Sequence, residues 1–173
     1  MSEVTVREAK ADDLADLAAI EASGAETFAA AGMPLADGSP PEAPEIWSAA
    51  LAAGTLWVAE DASAGVIGFL AAESVAGGLY IAEVDVVVER QRQGHGRRLM
   101  ARAIDWARER DLADVTLTTF RDVPWNGPFY ASMGFVEIPP RELPTRLAAV
   151  MREEASRGFD ADQRCAMRLA LKD

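Results

Sequence analysis

Glu83-Val84-Asp85-Val86-Val87-Val88-Glu89-Arg90-Gln91-Arg92-Gln93-Gly94-His95-Gly96-Arg97-Arg98 is the stretch on which the fold turns. Its first half is valine-rich and reads as a strand. Its second half is a Q-x-x-G-x-G run opening onto Leu99, Ala103, Trp106 and Ala107, apolar positions at helical spacing. A further strand is predicted at 114–120. Strand, loop, helix and strand in that order form a crossover unit, so its two strands should lie parallel and adjacent. At the start of such a helix the backbone N–H groups point outward unpaired, and with the helix dipole they suit a diphosphate. Gly94 and Gly96 lack side chains and let the backbone approach an anion closely. Neither a Gly-Lys-Ser/Thr ending nor a G-x-G-x-x-G pattern is present, which argues against nucleoside triphosphates and nicotinamide dinucleotides.

Upstream, 4–7 alternates like a short strand, and Asp12 or Asp13 is placed to cap a helix carrying Leu14, Leu17, Ala18 and Ile20. Residues 32–44, with four prolines and two glycines, read as a loop before a helix at 45–53. Strands at 55–60, 66–75 and 79–88 are separated by short turn sequences, so an antiparallel meander is expected. Downstream come a short helix near 128–133, a strand at 135–138, a helix at 143–157 and a closing strand at 165–171. The expectation is a single α/β domain over 1–173. Its mixed, mostly antiparallel central sheet has about six to seven strands and helices on both faces, with a splayed parallel pair at the diphosphate loop.

The 173 residues carry 28 acidic and 17 basic side chains, a net charge of -11, which disfavours a nucleic-acid partner. Between Glu89 and Arg110, however, seven arginines face three acids, a basic island of the kind a polyanion needs. The single Cys165 excludes an internal disulfide and leaves no thiolate metal site, so a reducing compartment is the default. No apolar run approaches the roughly 20 residues that span a bilayer, and a cytoplasmic location is expected.

Glu83 to Val88 with Gln91 to Leu99, followed by Asn126, Pro128-Phe129-Tyr130 and Gly134-Phe135, resembles two signature segments of the GNAT superfamily of acetyl-CoA-dependent N-acetyltransferases. The resemblance implies that the backbone of Val86 and Val88, with Val87 between them, holds the pantetheine arm and thioester. The amides of Gln91, Arg92, Gln93, Gly94, His95, Gly96 and Arg97 are then assigned to the diphosphate. Arg92, Arg97, Arg98 and Arg102 become candidates for the 3'-phosphate and adenosine end. His95 is read as a surface residue rather than a catalyst. Asn126 is a further cofactor contact, although it lies four residues before Tyr130 where the family spacing is nearer seven. Tyr130 matches the family tyrosine that donates a proton to the leaving thiolate. The co-substrate implied is acetyl-CoA, with no metal.

An alkylamine of pKa about 10 is mostly protonated at neutral pH, so acetyl transfer needs a group that removes a proton. Strand alternation puts Ala82, Val84, Val86 and Val88 on one face and Glu83, Asp85 and Val87 on the other. Glu83 or Asp85 can act as that base, directly or through water, or attract the cation; Glu83 is preferred. Phe28, Met33, Trp47 and Trp125 are candidates for an apolar acceptor pocket. Three functions stay open: acetylation of a small cationic amine by direct attack in a ternary complex, acetylation of a protein or peptide amine, and non-catalytic acyl-CoA sensing. The expected partner is a small-molecule amine, not nucleic acid or membrane, and a homodimer is left open.

Overall fold

The computed structural model describes residues 2–33 and 44–172. A seven-stranded sheet in the order β1-β2-β3-β4-β5-β7-β6 forms its centre. The strands are β1 (Val4–Glu8), β2 (Leu56–Asp61), β3 (Gly65–Val75), β4 (Gly78–Val86), β5 (Asp114–Phe120), β6 (Val136–Glu137) and β7 (Arg164–Ala170). The helices are α1 (Leu14–Ala30), α2 (Pro44–Ala53), α3 (His95–Glu109), α4 (Gly127–Ala131) and α5 (Thr145–Ser156). All neighbouring strands pair antiparallel except β4 and β5. The mixed sheet, the meander and the parallel crossover pair are therefore as expected, while most of the loop predicted at 32–44 lies outside the described residues.

Both faces of the sheet are covered. Alternation along β2 sends Trp57 and Ala59 toward the α3 side, where Leu99, Met100, Ala103 and Trp106 pack over them. Leu56 and Val58 point the other way, under Leu17 and Ile20 of α1 and Trp47 of α2. Helix α5 joins that second face through Leu147, packed with Tyr80 and Ala166. Fully buried side chains such as Trp57, Phe69, Leu70 and Leu99 anchor the two layers, each apolar side chain contributing roughly 2 kcal/mol on burial.

Two irregularities in β4 position the site. The register against β3 shifts between Ala71 and Ala72, whose partners are Glu83 and Ile81, leaving Ala82 as an extra residue in β4. The bulge resets the alternation. Ile81, Val84 and Val86 all pack on the α3 side, whereas Ala82 joins the Tyr80 and Leu147 cluster. Placing Ala82 with Val84 by simple alternation is thus corrected. The second irregularity is that β4 pairs with β5 only from Gly78 to Tyr80. Past that point the strands diverge, and a cleft opens through the sheet.

Two details of the helix and strand ends also differ from expectation. Asp13 does not cap α1 through its side chain. Its carboxylate instead takes Arg7 at 2.8 and 3.0 Å and the Lys10 N–H at 2.6 Å, tying β1 to the turn before the helix. Strand β4 ends at Val86, and Val88 begins a single turn of tighter helix.

Candidate active site

The diphosphate loop is built as the glycine spacing demands. Gly94 caps α3 with φ 86°, in the left-handed region, and no side chain caps the helix start. A Cβ built on Gly94 would meet no atom within 4 Å, so the space beside it is free for a ligand. Arg92 adopts φ 60°, a conformation that costs a non-glycine residue roughly 1 kcal/mol or more and that directs successive amides into one concavity. The loop is fastened by Gln91. Its Oε1 accepts from Thr27 of α1 at 3.1 Å and its Nε2 donates to the Val86 carbonyl at 2.9 Å.

A cavity of about 410 Å³ runs from this loop through the β4/β5 cleft. On the α3 side it is lined by Arg92, Gly94, Gly96, Arg97, Asn126 and Tyr130; on the other side it reaches Gly24, Phe28, Glu83, Asp85, Phe120 and Phe159. Val86 lies between the two halves. Because the Val87 N–H is bonded to the Ile67 carbonyl of β3, strand alternation turns the Val86 N–H toward the cleft. Val88 has left the strand, and its N–H donates to Ser23 Oγ at 3.0 Å.

The arginine candidates separate. Arg92 and Arg97 line the cavity, Arg97 donating to Ser132 Oγ at 2.7 Å and lying over the Phe129 ring. Arg90, not singled out from sequence, also lines it and pairs with Asp61 at 3.1 Å. Arg98 is exposed outside the cavity, and Arg102 faces Glu8, Glu109 and the Trp57 ring instead. His95 is not a surface residue. It is 7 % exposed, because the first turn of α3 rotates it inward, and neither ring nitrogen has a hydrogen-bond partner among the described residues. Burial and the nearby Arg98 and Arg90 hold its pKa below the ordinary imidazole value, which keeps the ring neutral.

Glu83 and Asp85 are not solvated strand acids. Helices α1 and α2 roof their face of β4, and Trp47 donates its indole N–H to Glu83 Oε2 at 2.8 Å. Asp85 lies against Gly24, so tightly that a Cβ there would collide with its carboxylate. Glu83 Oε1 has no hydrogen-bond partner among the described residues, so no donor there favours its charged form. Loss of water, above all, pushes both pKa values well above the carboxylate range; the Asp85 and Glu21 charges add to the effect on Glu83, and Glu21 adds to that on Asp85. The two acids therefore titrate as a pair that keeps a proton above the ordinary carboxylate range.

Tyr130 stands across the cleft on α4, packed against Phe129 and Phe135. Burial and then the Asp85 charge raise its pKa, so it remains a protonated phenol. Asn126 lines the same cavity from the turn before α4, its carbonyl accepting the Tyr130 N–H at 3.0 Å while its side chain donates to the Trp125 carbonyl. Among the candidates for an apolar pocket, Phe28 and Trp125 line the cavity, Trp47 serves Glu83, and Met33 is not part of the lining. Sequence reading missed Gly24, Phe120, Phe159 and Arg164. A glycine interrupting the α1 pattern was the only available signal for the first. No group of three His, Cys, Asp or Glu side chains that could hold a metal ion occurs among the described residues. No helix there is long and apolar enough to cross a membrane.

A family model described as an acetyltransferase (GNAT) domain matches residues 52–137, from the end of α2 through β6. Among solved structures, N-acetylglutamate synthase from Neisseria gonorrhoeae, complexed with coenzyme A and N-acetyl-glutamate, superposes with a TM-score of 0.70 at 20% identity. That match covers 100% of this chain but only 36% of the synthase, so this chain spans about a third of that protein. The ribosomal-protein-S18-alanine N-acetyltransferase from Escherichia coli matches with a TM-score of 0.66 at 18% identity, over 99% of this chain and 96% of its own. The PaiA N-acetyltransferase from Thermoplasma acidophilum, in complex with coenzyme A, matches with a TM-score of 0.70 at 14% identity, over 97% and 99%.

Proposed function

Because the chain belongs to the GNAT family of acetyltransferases, whose acyl donor is acetyl-CoA, we propose that it acetylates the primary amine of a small cationic molecule within a ternary complex. The observation that carries this reading is the cavity itself, which joins an uncapped helix start to a half-buried carboxylate pair through a gap in the sheet. The residues present suit acetyl-CoA: outward amides and arginines at one end, and a narrow cleft with a free strand N–H at the middle. Two of the solved neighbours act on, or hold the product of, quite different amines, an amino acid in one case and a protein alanine in the other. An acceptor chamber walled by α1, β5 and the segment after α5 supports a small molecule over a protein amine.

In this mechanism Asp85, which lies against Gly24 on the chamber wall, removes a proton from the incoming ammonium, directly or through one water. Trp47, donating to Glu83 Oε2, fixes Glu83 beside Asp85 as the protonated partner. That assignment moves the base from Glu83, preferred on sequence, to Asp85. As the amine nitrogen bonds to the thioester carbonyl, the Val86 N–H donates to the oxygen that becomes negative. Tyr130 gives its phenolic proton to the sulfur as the C–S bond breaks, and the second proton shed by the nitrogen as it becomes an amide returns to the phenolate through solvent. Arg92, Arg97 and the α3 amides hold the diphosphate and take no part in proton transfer.

Thiol release from acetyl-CoA, measured against a panel of amines, amino acids, polyamines and peptides, tests the reading. Turnover of small amines in preference to peptides is expected. Binding of acetyl-CoA without turnover of any amine would leave only a sensor. Tyr130→Phe should lower kcat by about 10² or more while the acetyl-CoA Kd stays within a few-fold; equal loss of both would refute the proton-donor role.

A further inference from the structure

Four aromatic rings meet at the acceptor end of the cavity: Phe28 from α1, Phe120 at the end of β5, Trp125 from the loop before α4, and Phe159 after α5. Phe28 lies 5.5 Å from Phe120 and 5.7 Å from Trp125, and Phe120 lies 6.0 Å from Phe159, distances of edge and tilted ring packing. None of the four belongs to the three apolar core clusters of the fold. Three of them are only half-buried, so their apolar faces are turned to the cavity rather than spent on the core. The indole N–H of Trp125 has no hydrogen-bond partner among the described residues.

Arg164 fixes the back of this wall. Its guanidinium lies 4.7 Å from the Phe120 ring centre and 5.1 Å from that of Phe159. Glu154 holds it in a paired contact at 2.8 and 3.2 Å, and Glu154 also accepts from Thr118 at 2.6 Å. Arg164 is thus too well matched to bind a substrate carboxylate, and with Glu154 it closes the far end of the chamber as a neutral ion pair. The chamber has one end that attracts an ammonium, at Asp85, and an opposite end that is aromatic and lined by no carboxylate among the described residues.

Resting on the function proposed above, we infer that the acceptor is an arylalkylamine, a single primary amine carried on a short chain by a flat aromatic group. The aromatic end packs on Phe28, Phe120, Trp125 and Phe159 and the ammonium reaches Asp85. Diamines, polyamines and aminoglycosides gain nothing from a second cation, because Glu154 is taken by Arg164 and no other carboxylate lines the aromatic end among the described residues. Amino acids gain nothing, since Arg164 is already occupied by Glu154.

Thiol-release kinetics with 2-phenylethylamine, tryptamine, n-butylamine and putrescine test the assignment. The two aryl compounds should exceed butylamine and putrescine in kcat/KM by about tenfold or more, the size expected from ring packing at two or more contacts. Phe28→Leu and Phe159→Leu should each reduce the aryl-over-butyl ratio by about threefold, with melting temperatures measured alongside to exclude misfolding. A ratio near one, or a preference for putrescine or a peptide amine, would overturn the arylalkylamine assignment and leave the acetyltransferase reading standing. Should no amine turn over, saturable quenching of tryptophan fluorescence by tryptamine analogues in the coenzyme A-loaded protein decides: saturation supports the aromatic site and strikes the catalytic reading, and no saturation overturns the inference.

Discussion

Asp85 and Gly24 are a matched pair. A glycine inside a helix ordinarily costs about 1 kcal/mol relative to alanine, so Gly24→Ala in an open helix would stabilise the protein. Here the added Cβ would collide with the Asp85 carboxylate, and the sign should reverse: the variant is expected to melt lower and turn over more slowly. Thermal unfolding followed by circular dichroism measures the first, thiol release the second, and a raised melting temperature with full activity would refute the contact. Asp85→Asn should lower kcat by roughly 10² to 10⁴ with little change in acetyl-CoA affinity, the range for loss of a general base. Glu83→Gln mimics the protonated acid and keeps the shape, so the acid limb of the kcat/KM profile should hardly move and activity should survive. If Glu83→Gln were the more damaging of the two, Glu83 would be the base. The two acids were legible in the sequence as a pair on one strand face. Their desolvation was not, because that depends on Trp47, Gly24 and Glu21, brought to β4 by helices distant in the chain.

Two elements make the cofactor end, the turn after β4 and the first turn of α3. Gly94→Ala places a side chain in the left-handed region and fills open space beside the loop. The expected loss of stability is about 1 kcal/mol, whereas acetyl-CoA affinity should fall by more than tenfold, because the Cβ occupies the approach of the diphosphate. Calorimetric titration with acetyl-CoA set against denaturant unfolding separates the two effects; equal losses would reduce the glycine to a turn residue. The loop was readable because its chemistry is local: glycine spacing and a following helix are written in consecutive residues. The bulge at Ala82 was not readable. It follows from the pairing of β4 with β3, and it alone puts Val84 and Val86 on one face with Ile81.

Across the whole molecule the acceptor chamber trades stability for function. Carboxyls whose folded pKa is raised favour the native state below the unfolded carboxylate range, and that contribution is lost as pH rises toward the folded values. The protein should therefore lose stability between about pH 5 and pH 9 through this pair, and Glu83→Gln should flatten the decline in a series of melting curves. A decline as steep in the variant would place its origin elsewhere. Activity should run the opposite way, rising with pH as Asp85 becomes the free base. The sequence by itself determined the element order, the meander and the parallel crossover, and it brought Gly94, Gly96 and Tyr130 into view as neighbours of one cavity, because each rests on periodicity or on neighbours within a few residues. Tertiary structure alone decided that His95 is buried, that Arg98 and Arg102 turn away, that the two acids are desolvated, and that Phe28, Phe120, Trp125 and Phe159 form one wall. Those properties depend on which distant segments share a space and how much water they exclude, and no local pattern in the chain encodes either.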